Sequence, residues 1–244
     1  MSADYWDTVA NSYDQLYEGR WSRLEDLLLE SRLRQATADL DLSLSTVVDI
    51  GCGTGLGFSL LEKLAGRMPS HLVGIDLSEA MLERCRTSYP QAKLLLGDAE
   101  SRIEDLPEQI DVCLLLSVSG SYLSNLLNTL RGLRQKLSGD GIIYLSVLSR
   151  WSLRRIVRFR FERFERYRTR GDLTSATPPL VTTYTRADIE RLATSAGYAL
   201  RSVHGGSPLA GVVERASLWR LGQYLARLVP WSCHSTDYVL VVEL

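Results

Sequence analysis

The run Asp49-Ile50-Gly51-Cys52-Gly53-Thr54-Gly55-Leu56-Gly57 sets one carboxylate ahead of glycines at alternating positions. Glycine removes Cβ atoms and admits left-handed backbone, so a ligand can come close to the main chain of such a loop. The spacing separates the ligands that glycine loops hold. A dinucleotide fingerprint needs GxGxxG, but counting from Gly51 the third glycine falls on Leu56, and counting from Gly53 it falls on Phe58. A phosphate loop needs Gly-Lys-Ser/Thr after its glycines, and none follows. What remains is an acid followed by GxGxG. Two further acids close apolar runs: Asp76 ends HLVGID about 20 residues past the loop, where a carboxylate in α/β folds accepts ribose hydroxyls. Asp98 follows KLLLG, on the edge of an open sheet where ligands bind.

These residues need strands to carry them. TVVDIGC is a short β-branched run that stops at glycine and is followed by the helical pattern FSLLEKLAG. The alternation repeats in HLVGIDL with SEAMLERCR, in AKLLLGD, in IDVCLLLSV with SYLSNLLNTLRGLRQKL, and in GIIYLSVL. Strands alternating with helices imply a parallel sheet, and nearly continuous apolar strands imply helices on both faces. Leu24, Leu27, Leu28 and Leu33 set a helical stripe within residues 5 to 40. In YTRADIERLATSAGY, Thr185 and Asp188 form a capping-box variant and Gly197 a helix stop. YVLVVEL reads as the last strand.

DIGCGTG, with IDLSEAML and GDAE after it, resembles the cofactor motifs of class I S-adenosylmethionine-dependent methyltransferases of the small-molecule type. The resemblance covers residues 5 to 148 by motif and the last helix and strand by architecture. It implies a doubly wound, mostly parallel seven-stranded sheet with an antiparallel last strand, a helical N-terminal lid and cap insertions. One domain is expected over 1–244: lid 1–40, cofactor-binding core 41–148, basic cap 149–184, and a C-terminal helix, strands and second insertion over 185–244. It further implies S-adenosylmethionine as cofactor, with the loop of Asp49, Gly51, Cys52, Gly53 and Gly55 around its methionine portion, Asp76 on the ribose, and Ser117 among the cofactor-binding residues. Leu77 and Met81 would flank the adenine, and Asp98 and Ala99 would meet its amino edge. For Met81 a core position on an amphipathic helix explains the residue equally well. WDTVANSYDQLY is similar to the lid helix of that family, where Tyr13, or next Tyr17, would close over the cofactor and favour the sulfonium through the ring quadrupole. Arg20 either meets the methionine carboxylate or is solvated.

In-line methyl transfer asks mainly for alignment, so a catalytic group is optional. If the acceptor is a hydroxyl, His204, Tyr122 and His234 are the candidate bases, His204 because it ends YALRSVH just before Gly205-Gly206. Ser117 stands where nucleic-acid and protein-glutamine N-methyltransferases carry DPPY or NPPY, which argues against those acceptors and for a small molecule.

Residues 150–170 hold nine arginines and two glutamates in a chain whose net charge is -1. Leu153, Val157, Phe161 and Phe164 are spaced for one apolar helical face, so a basic cap helix is expected there. A solvated arginine face, an anionic acceptor, a membrane surface and nucleic acid all remain open as its use, nucleic acid being the weakest. Four scattered cysteines without a CxxC pair and three dispersed histidines suggest neither disulfides nor a metal site. The N-terminus lacks a signal-peptide pattern and no apolar run reaches about 18 residues, so a cytoplasmic protein is expected.

Overall fold

The computed structural model describes residues 3–10, 13, 20–151, 166–168, 179–205, 233 and 235–243. Side chains are described outside 20–25 and 166–168. The elements in chain order begin with α1 (Ala3–Val9), α2 (Arg20–Ala36), β1 (Thr46–Ile50), α3 (Leu56–Ala65), β2 (His71–Asp76), α4 (Glu79–Ser88) and β3 (Lys93–Leu96). They continue with α5 (Ala99–Arg102), β4 (Ile110–Leu115), α6 (Ser119–Tyr122), α7 (Leu126–Lys136), β5 (Leu137–Ser149) and β6 (Arg166–Arg168). The last are β7 (Leu180–Tyr184), α8 (Arg186–Ser195), β8 (Tyr198–Gly205) and β9 (Ser235–Val242).

Strands β3, β2, β1, β4 and β5 lie side by side and pair parallel throughout. Strand β9 then pairs antiparallel with β5 over Ile142–Leu148, and β8 pairs antiparallel with β9. The seven-stranded sheet with an antiparallel last strand is thus present, with that strand inserted between β5 and β8 rather than at the edge. Two short strands add to it, because the end of β5 also pairs parallel with β7, and β7 pairs antiparallel with β6.

Period-2 alternation divides the core into two layers. Val48, Ile50, Val73, Ile75, Cys113, Leu115, Ile143 and Leu145 face one side, where Leu126, Leu130 and Leu133 of α7 and Ile189 and Ala193 of α8 cover them. Val47, Leu72, Val112, Leu114, Ile142, Tyr144 and Val239 face the other, under Leu33 and Ala36 of α2 and Phe58 and Leu61 of α3. Helix boundaries follow local chemistry. Thr185 and Asp188 form the reciprocal capping box of α8, and Gly197 has φ +80° just beyond its end.

Two elements differ from the sequence reading. SYLSNLLNTLRGLRQKL is two helices, not one, because Asn125 caps α7 afresh, its side chain accepting from the Asn128 N–H at 3.1 Å. Within the expected basic helix of 150–170, residues Arg166–Arg168 form strand β6 instead, its backbone satisfied by β7. Residues 152–165 and 169–170 lie outside the described residues. Arg150, at the entrance of the segment, donates to the Thr183 carbonyl at 2.9 Å and pairs with Asp188 at 3.0 Å, so it ties β5 to β7 and α8.

Candidate functional site

The carboxyl ends of β1, β2, β3 and β4 open into a cavity of about 650 Å³. Its floor is the β1–α3 loop. Gly51, Gly53 and Gly55 take φ of +74°, +52° and +101°, conformations that L side chains rarely adopt. The turn is closed by Gly51 and Cys52 N–H groups donating to the Ile75 carbonyl, at 2.8 and 3.1 Å. At Gly55 a Cβ would lie 2.5 Å from the Tyr89 ring, which packs edge-on to Phe58 behind the loop. At Gly53 a Cβ would meet nothing within 4 Å, so that glycine presents open backbone.

Asp49 lies beneath this floor at 1% exposure, and its Oδ1 has no hydrogen-bond partner. Burial, reinforced by the neighbouring charge of Asp76, pushes its carboxyl up to about 8. Asp76 is held differently. Its Oδ2 accepts from the Gly53 N–H at 2.9 Å and its Oδ1 from the Ser78 N–H at 3.0 Å. Burial raises its carboxyl, while these backbone donors pull the other way.

Helix α1 forms an aromatic wall. Trp6 meets Tyr122 edge-on at 5.3 Å and Tyr13 at 6.5 Å, and all three rings line the cavity. The helix docks through Asp7, whose Oδ1 accepts from the Ser78 hydroxyl at 2.5 Å and the Ala80 N–H at 3.2 Å. A carboxylate is favoured at that N-terminus of α4 by the helix dipole. Arg84 donates to the Ala10 carbonyl, and Met81 packs against Tyr5, Val9 and Ala10. Met81 therefore both packs α1 onto α4 and lines the cavity.

The structure brings Tyr13, Asp49, Gly51, Cys52, Gly53, Gly55, Asp76, Leu77, Met81, Ala99, Ser117 and Tyr122 together on this one cavity. Ser117 and its neighbour Val118 have φ of +48° and +62°, strained values for non-glycine residues, at the turn from β4 into the cavity wall. Two expected residues lie elsewhere. Asp98 is not among the lining residues, although Gly97 and Ala99 are, and its Oδ1 accepts from the Glu100 N–H at 3.0 Å as the cap of α5. His204 is also outside the lining: it sits on β8, the strand beyond β9, with its Nε2 3.1 Å from the Ser202 hydroxyl. Burial and the nearby Arg32 charge hold its imidazole below the usual value. The sheet edge explains this, since β9 stands between β8 and the cavity and supplies Ser235 and Asp237 instead. Tyr17 and His234, and the side chain of Arg20, lie outside what the structure describes.

Sequence reading missed Trp6, Asp26, Arg32, Ser146, Ser235 and Asp237, which also line the cavity. Arg32 Nη1 pairs with Asp237 Oδ2 at 2.8 Å, Nη2 donates to the Gly205 carbonyl, and the Tyr144 hydroxyl donates to the same Oδ2 at 3.0 Å. A signal existed. Arg32 falls on the buried stripe of α2 beside Leu29, Leu33 and Ala36, and Asp237 shares the inward parity of Val239. A charge at such positions needs a buried partner. Asp26, half-buried and raised by burial, completes the polar end of the cavity.

An orphaned buried carboxyl oxygen, a Cβ-free floor, a strand-end carboxylate and aromatic edges fit a ligand that joins a cationic amino-acid head to a nucleoside. Fold and site together describe an α/β domain with a cavity at its strand ends and a glycine loop that matches neither the dinucleotide nor the phosphate-loop pattern. Residues 48–145, from β1 to β5, match the family model of the methyltransferase domain. An uncharacterized protein of Methanocaldococcus jannaschii is 26% identical over 167 residues, 66% of this chain and 58% of that protein. The 18S rRNA (guanine-N(7))-methyltransferase of Bos taurus is 38% identical over 71 residues, 29% of this chain and 24% of that protein. The chain spans less than two thirds of the length of either curated relative. Magnesium protoporphyrin IX methyltransferase from Synechocystis PCC 6803, solved with bound SAH, superposes with a TM-score of 0.65 at 16% identity, covering 99% of this chain and 98% of that one. Residues 48–145 thus resemble the methyltransferase domain family, and the chain as a whole shares the fold of a solved methyltransferase. Among the described residues no three His, Cys, Asp or Glu side chains group so as to hold a metal ion, and no helix is long and apolar enough to cross a membrane.

Proposed function

We propose that the protein transfers the methyl group of S-adenosylmethionine to an oxygen or nitrogen atom of a small-molecule acceptor. The observation that carries this reading is the cavity itself. At about 650 Å³ it falls in the range of small-molecule sites, and it extends past the glycine loop to Asp26, Arg32, Ser146, Ser235 and Asp237. Those polar groups come from α2, β5 and β9, away from the loop and strand ends that suit the cofactor, and they offer hydrogen bonds to a second molecule.

Bound cofactor would supply an activated methyl group on a sulfonium. The chain's own contribution is then positional: hold an acceptor atom about 3–3.5 Å from that carbon, in line, and exclude water. The aromatic wall of Trp6, Tyr13 and Tyr122 serves exclusion. Asp26, whose carboxyl is raised by burial, is the lining group best suited to take a proton from an acceptor O–H or N–H. Asp237 is already engaged by Arg32 and Tyr144, so its part is to orient an acceptor.

RNA methylation is the second reading. It draws on the relative named as an rRNA methyltransferase and on the nine arginines of residues 150–170. One experiment separates the two: purified protein with methyl-labelled cofactor is given the small-molecule fraction of a cell extract in one reaction and total RNA in another. Label in a small product at moderate salt supports the proposal. Label in RNA alone, with activity falling steeply as salt rises, replaces it with the second reading. A chain that binds the cofactor and labels neither is a silent subunit.

A further inference from the structure

We infer that cofactor capture is a proton exchange at Asp49: the empty site holds a proton on this carboxyl, and the cationic head of the cofactor displaces that proton to solvent on binding. This rests on the assignment of S-adenosylmethionine as the cofactor. The argument is geometric. Asp49 is 1% exposed, its Oδ1 accepts no hydrogen bond, and it lines the cavity. On the α3 side there is no space for the carboxylate to turn away, because a Cβ on Gly57 would lie 2.3 Å from Oδ2.

No cation faces it. The titratable groups around Asp49 are Asp76 from β2, Cys52 in the loop and Cys113 on β4, and both thiols are raised, Cys52 first by its hydrogen bond with Cys85 and then by burial, Cys113 by burial, with the Asp49 charge adding in each case. From α3, Gly57 packs against it. Arg32, the single guanidinium among the described lining residues, is committed to Asp237 and the Gly205 carbonyl. Four carboxyls among the described lining residues therefore share one cation, and one of them, Asp76, is close enough to Asp49 to add to the upward push of burial on the Asp49 carboxyl.

The geometry also says which of that pair carries the proton. Asp76 accepts N–H groups from Gly53 and Ser78, which stabilise its ionised form, whereas the Asp49 Oδ1 has no donor. With its carboxyl raised to about 8, Asp49 is protonated at neutral pH until a cation arrives. An ammonium brought to that oxygen supplies the missing opposite charge, and the proton passes to buffer.

The sign of the linkage follows. The complex binds fewer protons than the free protein, so affinity rises with pH below about 8. Above that the ligand's own α-amino group, which ordinarily titrates near 8, loses its charge and affinity falls again. The test uses S-adenosylhomocysteine, which keeps the ammonium, in calorimetric titrations at pH 7 in two buffers of different ionisation enthalpy. The expected result is release of close to one proton per ligand and a Kd that falls about tenfold from pH 6 to pH 7. Asp49→Asn should bind more weakly, release no proton and show a flat Kd over that interval, with thermal unfolding of the variant confirming its fold. Binding by the native chain without proton release, or release that persists in Asp49→Asn, overturns the exchange while leaving the cofactor assignment intact. Absence of any binding overturns the cofactor assignment itself.

Discussion

Gly57→Ala sets helix propensity against packing, and the structure decides which wins. Gly57 is the second residue of α3 and its φ is not positive, so alanine suits the backbone and gains about 0.8–1 kcal/mol of helix propensity. The new Cβ, however, would stand 2.3 Å from Asp49 Oδ2, 3.0 Å from Asp49 Cγ and 2.9 Å from Leu114 Cδ1. Asp49 and Leu114 are 1% and 0% exposed, so neither can retreat into solvent. Leu114 can yield by turning its terminal methyl, but the carboxylate is branched at its second carbon and fixed in a packed layer. Overpacking of this kind costs about 1–3 kcal/mol, and with two buried neighbours under 3.0 Å the cost falls in the upper half of that range, about 2–3 kcal/mol, so the net effect is a loss of about 1–2 kcal/mol. The same substitution in an Asp49→Ala background removes the two Asp49 contacts and should be neutral or stabilising. A coupling energy of about 1 kcal/mol or more between the two sites is therefore expected from urea unfolding of the four proteins. If Gly57→Ala alone is as stable as the native chain, or if its cost is unchanged in the Asp49→Ala background, the claimed contact between α3 and the loop acid is wrong.

Other expectations come from the remaining electrostatics. Asp49 binds its proton more tightly folded than unfolded, so between about pH 4 and 8 it makes ligand-free stability fall as pH rises, by up to about 1.4 kcal/mol per unit. Asn at this position should flatten that part of a stability profile measured by urea unfolding. Asp237→Asn leaves the Arg32 charge uncompensated in a pair whose side chains are only 14% and 8% exposed, and should cost about 3 kcal/mol, read as a fall in Tm of about 6–12 °C. Arg186→Ala, which breaks an exposed helical pair, should stay under about 0.5 kcal/mol in the same assay. Thr185→Ala removes the hydroxyl that accepts from the Asp188 N–H at 3.1 Å and should cost about 1 kcal/mol by chemical unfolding.

The capping box at Thr185, the stop at Gly197 and the loop from Gly51 to Gly55 were legible in sequence because each is a contact among residues a few positions apart. The same holds for the five parallel strands, whose near-continuous apolar runs report helices on both faces. Asp98 was legible as a strand-end acid but not in its use, since whether it faces ligand or caps α5 depends on one rotamer. His204 was misplaced for a topological reason. Its strand ends at the correct side of the sheet, yet the order of β8 and β9 across that sheet is set by pairings between residues far apart in the chain.

From the sequence alone came the acid, the glycine spacing and the strand-end carboxylates, because a loop's backbone freedom is a property of its own residues, and the family those motifs resemble implied the class of cofactor. Only tertiary structure decided what stands opposite that loop. Trp6 reaches Tyr122 because Asp7 caps α4, and Arg32 meets Asp237 across 205 positions of chain. No local preference encodes such a meeting, since it follows from the order of strands and the packing of α2 against them. For Asp49, sequence supplied the residue and the fold supplied its surroundings: burial with no cation beside it among the described residues, which pushes a motif acid up to about 8.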